Sequence, residues 1–128
     1  MASILVVEDT PASMKLMVLI LASAGHTTLQ AATAGDAIAL AARMRPDLIL
    51  MDMHLPDMDG MAATRAIKTD PATAAIPVVA VTAMAMKGDR ERILAAGCDG
   101  YLEKPVDFRT LLAEVAARCN GDQAPGGG

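Results

Sequence analysis

Three short stretches of the chain are continuously apolar, and each stops on a polar side chain. Ile4-Leu5-Val6-Val7 ends at Glu8-Asp9, Leu48-Ile49-Leu50-Met51 ends at Asp52, and Val78-Val79-Ala80-Val81 ends at Thr82. Runs this short, without alternation, are the pattern of strands buried on both faces. Two weaker strands are predicted: His26–Ala31, which alternates poorly, and Gly100–Glu103, which leads into Lys104-Pro105. Between them lie segments with helix signals. Thr10 and Pro11 open the first, which Gly25 ends. Thr33 with Asp36 resembles a capping box for the second, which stops at Pro46. The third starts near Asp59-Gly60 and ends around Asp70-Pro71. The fourth runs from about Asp89 to Ala96, where Gly97 stops it, and the fifth follows Asp107 to about Cys119.

Strands and helices that alternate in this way predict an α/β fold, a doubly wound five-stranded parallel sheet covered on both faces. In such sheets ligands bind beyond the carboxyl ends of the strands, where the winding reverses. The 128 residues suit one folded unit over residues 1–120. Residues 121–128 have the Gly-rich, polar composition expected of a disordered tail.

Charge narrows the function classes. Eleven Lys and Arg against fifteen Asp and Glu leave a net charge of −4, which argues against nucleic acid as a partner. No apolar run approaches the ~20 residues of a membrane span, and no leader pattern opens the chain, so a cytoplasmic location without membrane insertion is expected. Cys98 and Cys119 lack any ligand or redox spacing and are expected to be reduced.

The chemistry is expected where the strands end, because the topology gathers Glu8, Asp9, Asp52, Thr82 and Lys104 along one edge. Three carboxylates about 5 Å apart repel by roughly 3 kcal/mol per pair at an effective dielectric near 20, so a cation is expected among them. Oxygen donors select a hard ion, Mg²⁺ foremost, with Mn²⁺ compatible. Lys104 adds a fixed positive charge that suits an arriving anion, best a phosphoryl group. Asp52, alone at its strand end, is the candidate nucleophile, while Glu8 and Asp9 are better placed to hold metal. Thr82 can donate to a phosphoryl oxygen. A metal-dependent phosphohydrolase also uses an Asp after an apolar strand, but it typically has a second Asp two residues on, where this chain has His54. A flavin or nucleotide module would carry a Gly- or Ser/Thr-rich loop where this chain has Glu8-Asp9, which repels phosphate.

Together these motifs resemble the receiver domain of bacterial two-component response regulators, over a stretch from Ile4 to about Ala117. The residues that carry the resemblance are Val-Val-Glu8-Asp9, Leu-Ile-Leu-Met-Asp52-Met-His-Leu-Pro56-Asp-Met-Asp-Gly60, Val-Val-Ala-Val-Thr82-Ala and Tyr101-Leu-Glu-Lys104-Pro105. The segment from Thr82 to Asp89 is similar to single-domain regulators of bacterial cell division and to receivers of hybrid histidine kinases. The resemblance implies a flavodoxin-like sheet of order 2-1-3-4-5 and Asp52 as phosphoacceptor. It implies Mg²⁺ held by Asp9, Asp52 and the backbone carbonyl of His54, with Glu8 acting through water. It further implies Lys104 as the phosphoryl contact, Thr82 and Tyr101 as switch residues, a cis bond before Pro105, and a tuning role for the side chains of His54 and Met84.

On this reading the protein is a phosphoacceptor in signalling rather than an enzyme, assisting only its own phosphorylation and dephosphorylation, with no DNA-binding output domain. Phosphorylation adds close to two negative charges at Asp52, which draws Thr82 inward and frees space for Tyr101 to turn. Its expected partners are a histidine kinase or histidine phosphotransfer protein and a downstream protein target, the chain itself being a monomer or weak homodimer. In the first helix, if Leu16, Met17, Ile20 and Ala24 face the sheet, then Met14, Val18 and Leu21 or Ala22 form an apolar strip for such a partner. Neither His26 nor His54 falls on a predicted helix, which argues against either as a relay histidine.

Overall fold

The structure, a computed structural model, describes residues 2–83 and 87–119. Over these residues β1 (Ser3–Val7), β2 (Thr27–Ala31), β3 (Leu48–Asp52), β4 (Val78–Thr82) and β5 (Gly100–Glu103) alternate with five helices. These are α1 (Pro11–Ser23), α2 (Ala34–Met44), α3 (Gly60–Thr69), α4 (Lys87–Ala95) and α5 (Phe108–Cys119). The strands form one parallel sheet in the order β2-β1-β3-β4-β5. The polar residues that end β3 and β4, Asp52 and Thr82, belong to the strands themselves. The expected disordered tail at 121–128 and the Met84 side chain lie outside the described residues.

Pleating sorts the apolar runs into two cores. Leu5, Val7, Ile49, Met51, Val78 and Ala80 face α2, α3 and α4, and pack with Ala34, Ala37, Ala41, Ala63, Ile67 and Ile93. Their neighbours Ile4, Val6, Leu48, Leu50, Val79 and Val81 face α1 and α5, and meet Met17, Leu21, Leu111 and Val115. This is why the runs need no polar alternation: both faces of the sheet are dry.

Most helix starts follow their local signals. Thr33, Asp59 and Asp107 each accept a hydrogen bond from the backbone N–H three residues on, at 3.1, 2.7 and 3.1 Å. Thr10 departs from expectation. It holds the cap position of α1, but its side chain makes no cap bond; its N–H instead donates to Glu8 Oε2 at 3.1 Å. At the other end of α1, Gly25 takes a left-handed φ of 88°, the conformation that lets glycine end a helix.

The predicted facing of α1 needs correction. Leu21 is fully buried and Met17 nearly so, whereas Leu16 and Leu19 are 49% and 58% exposed and Ala24 is exposed. Leu21 therefore cannot belong to a surface strip. Met14 and Ile20 are partly buried against the same core, and Val18 is half-buried. The segment is apolar at nearly every position, so its pattern offers no contrast from which to read a face. Ala22 is exposed, as expected. Among the described residues, no helix is long and apolar enough to cross a membrane.

Candidate phosphoacceptor site

In this strand order the winding reverses between β1 and β3, and the carboxyl ends of these strands carry the acidic residues. Glu8 and Asp9 follow β1 directly, and Asp52 closes β3. Each offers a carboxylate oxygen within 4.8 Å of the others. Glu8 and Asp52 are buried, 1% and 3% exposed, while Asp9 is open to solvent. A group of hard oxygen donors with one exposed member suits a divalent cation that keeps part of its water shell, as Mg²⁺ does.

Lys104, just past β5, completes the cluster. Its backbone N–H donates to the Thr82 carbonyl at 2.8 Å, which ties the β5 end to the β4 end. Its Nζ donates to Glu8 Oε1 at 2.7 Å and to Asp52 Oδ2 at 3.3 Å. The peptide between Lys104 and Pro105 is cis, as the resemblance implies. Asp52 Oδ1 in turn accepts the His54 N–H at 3.0 Å.

The two buried carboxylates respond to this setting in opposite directions. Burial alone would raise the Glu8 carboxyl, but the hydrogen bonds from Lys104, Asp52 and Thr10 and the Lys104 charge hold it below its ordinary value. Asp52 is raised, first by burial and further by the Glu8 carboxylate, against the lowering bond from His54. Burial by itself would lower Lys104, yet its two carboxylate partners raise it, so it stays an ammonium. Without a cation, Asp52 is thus the harder of the two carboxyls to ionise. A cation in the cluster would favour the ionised form of Asp52.

The approach of α3 also shapes the site. A Cβ on Gly60 would lie 2.4 Å from the Asp52 carbonyl oxygen and 2.7 Å from the Met53 Cα. Only glycine lets the helix start so close to the strand end, and its N–H donates to the Met53 carbonyl at 3.0 Å.

The structure brings Glu8, Asp9, Asp52 and Lys104 together. Thr82 is fully buried at the adjoining strand end. Tyr101 lies farther along β5, half-buried against the α2–α4 core, with the Arg90 guanidinium 5.0 Å from its ring centre. His54 has an exposed side chain, and only its backbone N–H reaches Asp52. Sequence reasoning missed Asp57, whose carboxylate oxygens accept the Ala34 and Gly35 N–H groups at 2.8 and 2.9 Å. A Pro-Asp pair in a loop reads as a local turn, and nothing nearby in the sequence signals partners 22 and 23 positions away. Cys98 and Cys119 are buried, and neither forms a disulfide.

The chain is similar to known proteins. The response regulator receiver domain family matches residues 4–116. The polar-differentiation response regulator DivK of Brucella anthropi is 44% identical over 113 residues, which cover 88% of this chain and 92% of that protein. The receiver domain of the sensor histidine kinase PA1611 from Pseudomonas aeruginosa superposes with a TM-score of 0.87 at 37% identity, over 93% of this chain and 98% of that one. That structure has a magnesium ion coordinated in its active site cleft. The chemotaxis protein CheY4 of Vibrio cholerae gives a TM-score of 0.87 at 27% identity, over 92% of this chain and 98% of that one. A sheet wound in this order, an acidic cluster at its reversal point and a family match over most of the length agree: the chain belongs to the response regulator receiver domain family.

Proposed function

We propose that Asp52 is the phosphoacceptor of a signalling relay, taking a phosphoryl group from a phosphohistidine on a histidine kinase or phosphotransfer protein. The observation that carries this reading is the Lys104 ammonium, which contacts both Asp52 and a buried Glu8 at the rim where the acidic side chains converge. A carboxylate oxygen of Asp52 attacks phosphorus, the phosphorus–nitrogen bond breaks, and the imidazole leaves with the electron pair. The product is an acyl phosphate, which water later hydrolyses. Lys104 offsets negative charge on the transferring group, and Glu8 keeps Lys104 charged and in place.

Asp9, Asp52 and the His54 carbonyl would hold the metal, with Glu8 acting through water. A divalent ion there, Mg²⁺ or Mn²⁺, supplies charge neutralisation at the phosphoryl oxygens. The protein assists only its own phosphorylation and dephosphorylation. It works in the cytoplasm, its receiver domain spans 1–120, and its output passes through protein–protein contacts.

The switch follows from the added charge. Thr82 turns its hydroxyl toward the phosphoryl group, and Tyr101 moves into the space released, a bias of a few kcal/mol rather than a complete flip. For the donor, the exposed Leu16 and Leu19 are the apolar positions α1 offers, beside Ala22. Leu16 also lines a groove with Ser13, Met17, Pro105, Val106 and Lys104. That groove puts an incoming helical partner next to the phosphoacceptor.

Acetyl phosphate with Mg²⁺ tests the reading. Mass spectrometry is expected to show one phosphoryl group per chain, at Asp52, and none in Asp52→Asn. Labelling elsewhere, or catalytic turnover of a phosphomonoester, would overturn it.

A further inference from the structure

The loop from Met53 to Asp59 carries the His54 peptide past Asp52. It is pinned at both ends, by the His54 N–H on Asp52 Oδ1 at 3.0 Å and the Gly60 N–H on the Met53 carbonyl at 3.0 Å. Its middle is pinned by Asp57, whose two carboxylate oxygens fork across the Ala34 and Gly35 N–H groups at 2.8 and 2.9 Å. Thr33 Oγ1 takes the next one, from Asp36, at 3.1 Å. The first three N–H groups of α2, which an isolated helix leaves without partners, are therefore all satisfied.

Thr33 alone already provides the local cap that starts α2. The Asp57 fork comes from a loop 22 and 23 residues farther along, so what it adds is a tie between that helix and the loop beside the phosphoacceptor. Its carboxylate sits where the helix dipole favours negative charge. The Ala34 and Gly35 N–H groups hold the Asp57 carboxyl below its ordinary value, so the fork is charged at neutral pH.

We infer that Asp57 is a positioning residue: by clamping the 53–59 loop to the first turn of α2, it fixes the His54 peptide beside Asp52 and so sets how readily the site takes Mg²⁺ and a phosphoryl group. The inference rests on the phosphoacceptor reading above, and residues that orient metal-holding groups typically change metal affinity by 10–100-fold when removed.

The experiment compares wild type with Asp57→Ala, Asp57→Asn and Thr33→Ala. Three quantities are read: amide hydrogen exchange of residues 53–59 in metal-free protein, the Mg²⁺ dissociation constant from amide shifts of Asp52 and His54, and the acetyl phosphate labelling rate. Asp57→Ala is expected to speed exchange across the loop and to weaken Mg²⁺ about tenfold. Asp57→Asn, which keeps one acceptor oxygen, should recover part of both. Thr33→Ala, which removes the local cap and leaves the fork, should lower thermal stability with Mg²⁺ affinity unchanged. If Thr33→Ala weakened Mg²⁺ as much as Asp57→Ala, or if Asp57→Ala changed stability alone, Asp57 would be an ordinary helix cap and the inference would fall. Failure of acetyl phosphate to label wild type would strike the phosphoacceptor reading instead, and the metal-free exchange rates would still decide the clamp.

Discussion

At the residue scale, the acidic cluster stores repulsion that a cation relieves. Asp52→Asn removes a carboxyl whose ionised form is disfavoured by burial and by the Glu8 charge, and is expected to raise unfolding free energy in metal-free buffer by about 1–3 kcal/mol. Calorimetry with and without Mg²⁺ checks this, because the gain should shrink once an ion fills the wild-type site. Lys104→Met acts in the opposite sense. It leaves Glu8 buried with neither its bond nor its countercharge, a change expected to cost about 1–3 kcal/mol once the partial exposure of Lys104 is allowed for. Denaturant unfolding measures it. A pH effect is expected far from the site, at His26. Burial and the positive chain terminus lower its pKa, and its Nδ1 accepts the Ala2 N–H at 3.1 Å. A lowered folded value means that the unfolded chain binds the proton more readily. His26 therefore contributes stability that is fully present above about pH 6.5 and is lost as pH falls through its lower folded value. Urea midpoints of wild type and His26→Gln should accordingly converge below pH 6.5. The strand-end residues were legible in the sequence, since each polar side chain interrupts an apolar run. The near-complete burial of Glu8 was not, because it depends on Lys104 arriving from 96 positions away.

At the element scale, legibility followed contrast. α2 and α3 mix apolar and polar positions, and their caps at Thr33 and Asp59 lie where the residue types place them. The face of α1 was unreadable, because an almost uniformly apolar segment does not encode its own rotation. What settles the rotation is the packing of Met17 and Leu21 against Ile4, Val6 and their neighbours. Leu21→Ala should therefore cost about 3 kcal/mol, and Leu16→Ala less than about 0.5 kcal/mol. Equal losses in thermal unfolding would contradict the observed face. Gly60→Ala pushes a methyl group onto the Asp52 carbonyl and is expected to cost at least about 2 kcal/mol. It should also slow labelling by acetyl phosphate, since it shifts the strand end that presents Asp52.

At the scale of the whole molecule, the sheet order was within reach only through the family resemblance, because strand patterns by themselves allow several doubly wound orders. The two rims of the finished sheet have different tasks. On the amino-terminal side, Lys68 bonds the Ala74 and Ile76 carbonyls and Asp99, which in turn accepts the Val78 N–H at 2.8 Å. That rim closes on itself, while Glu8, Asp9, Asp52 and Lys104 come together at the other. Adding Mg²⁺ at about a hundred times its dissociation constant should stabilise the fold by about 2.7 kcal/mol, and a chelator should reverse the gain. The alternation of Leu48, Ile49, Leu50 and Met51 between two cores carries one more consequence, for sequence drift. Deleting a single residue from that run would barely alter its hydropathy, yet with the start of the strand held in register it would exchange the faces of every side chain after the gap and draw the carboxylate back by about 3.3 Å. Insertions and deletions in β3 should therefore abolish signalling outright, where swaps among Leu, Ile and Met at the same places merely weaken the fold.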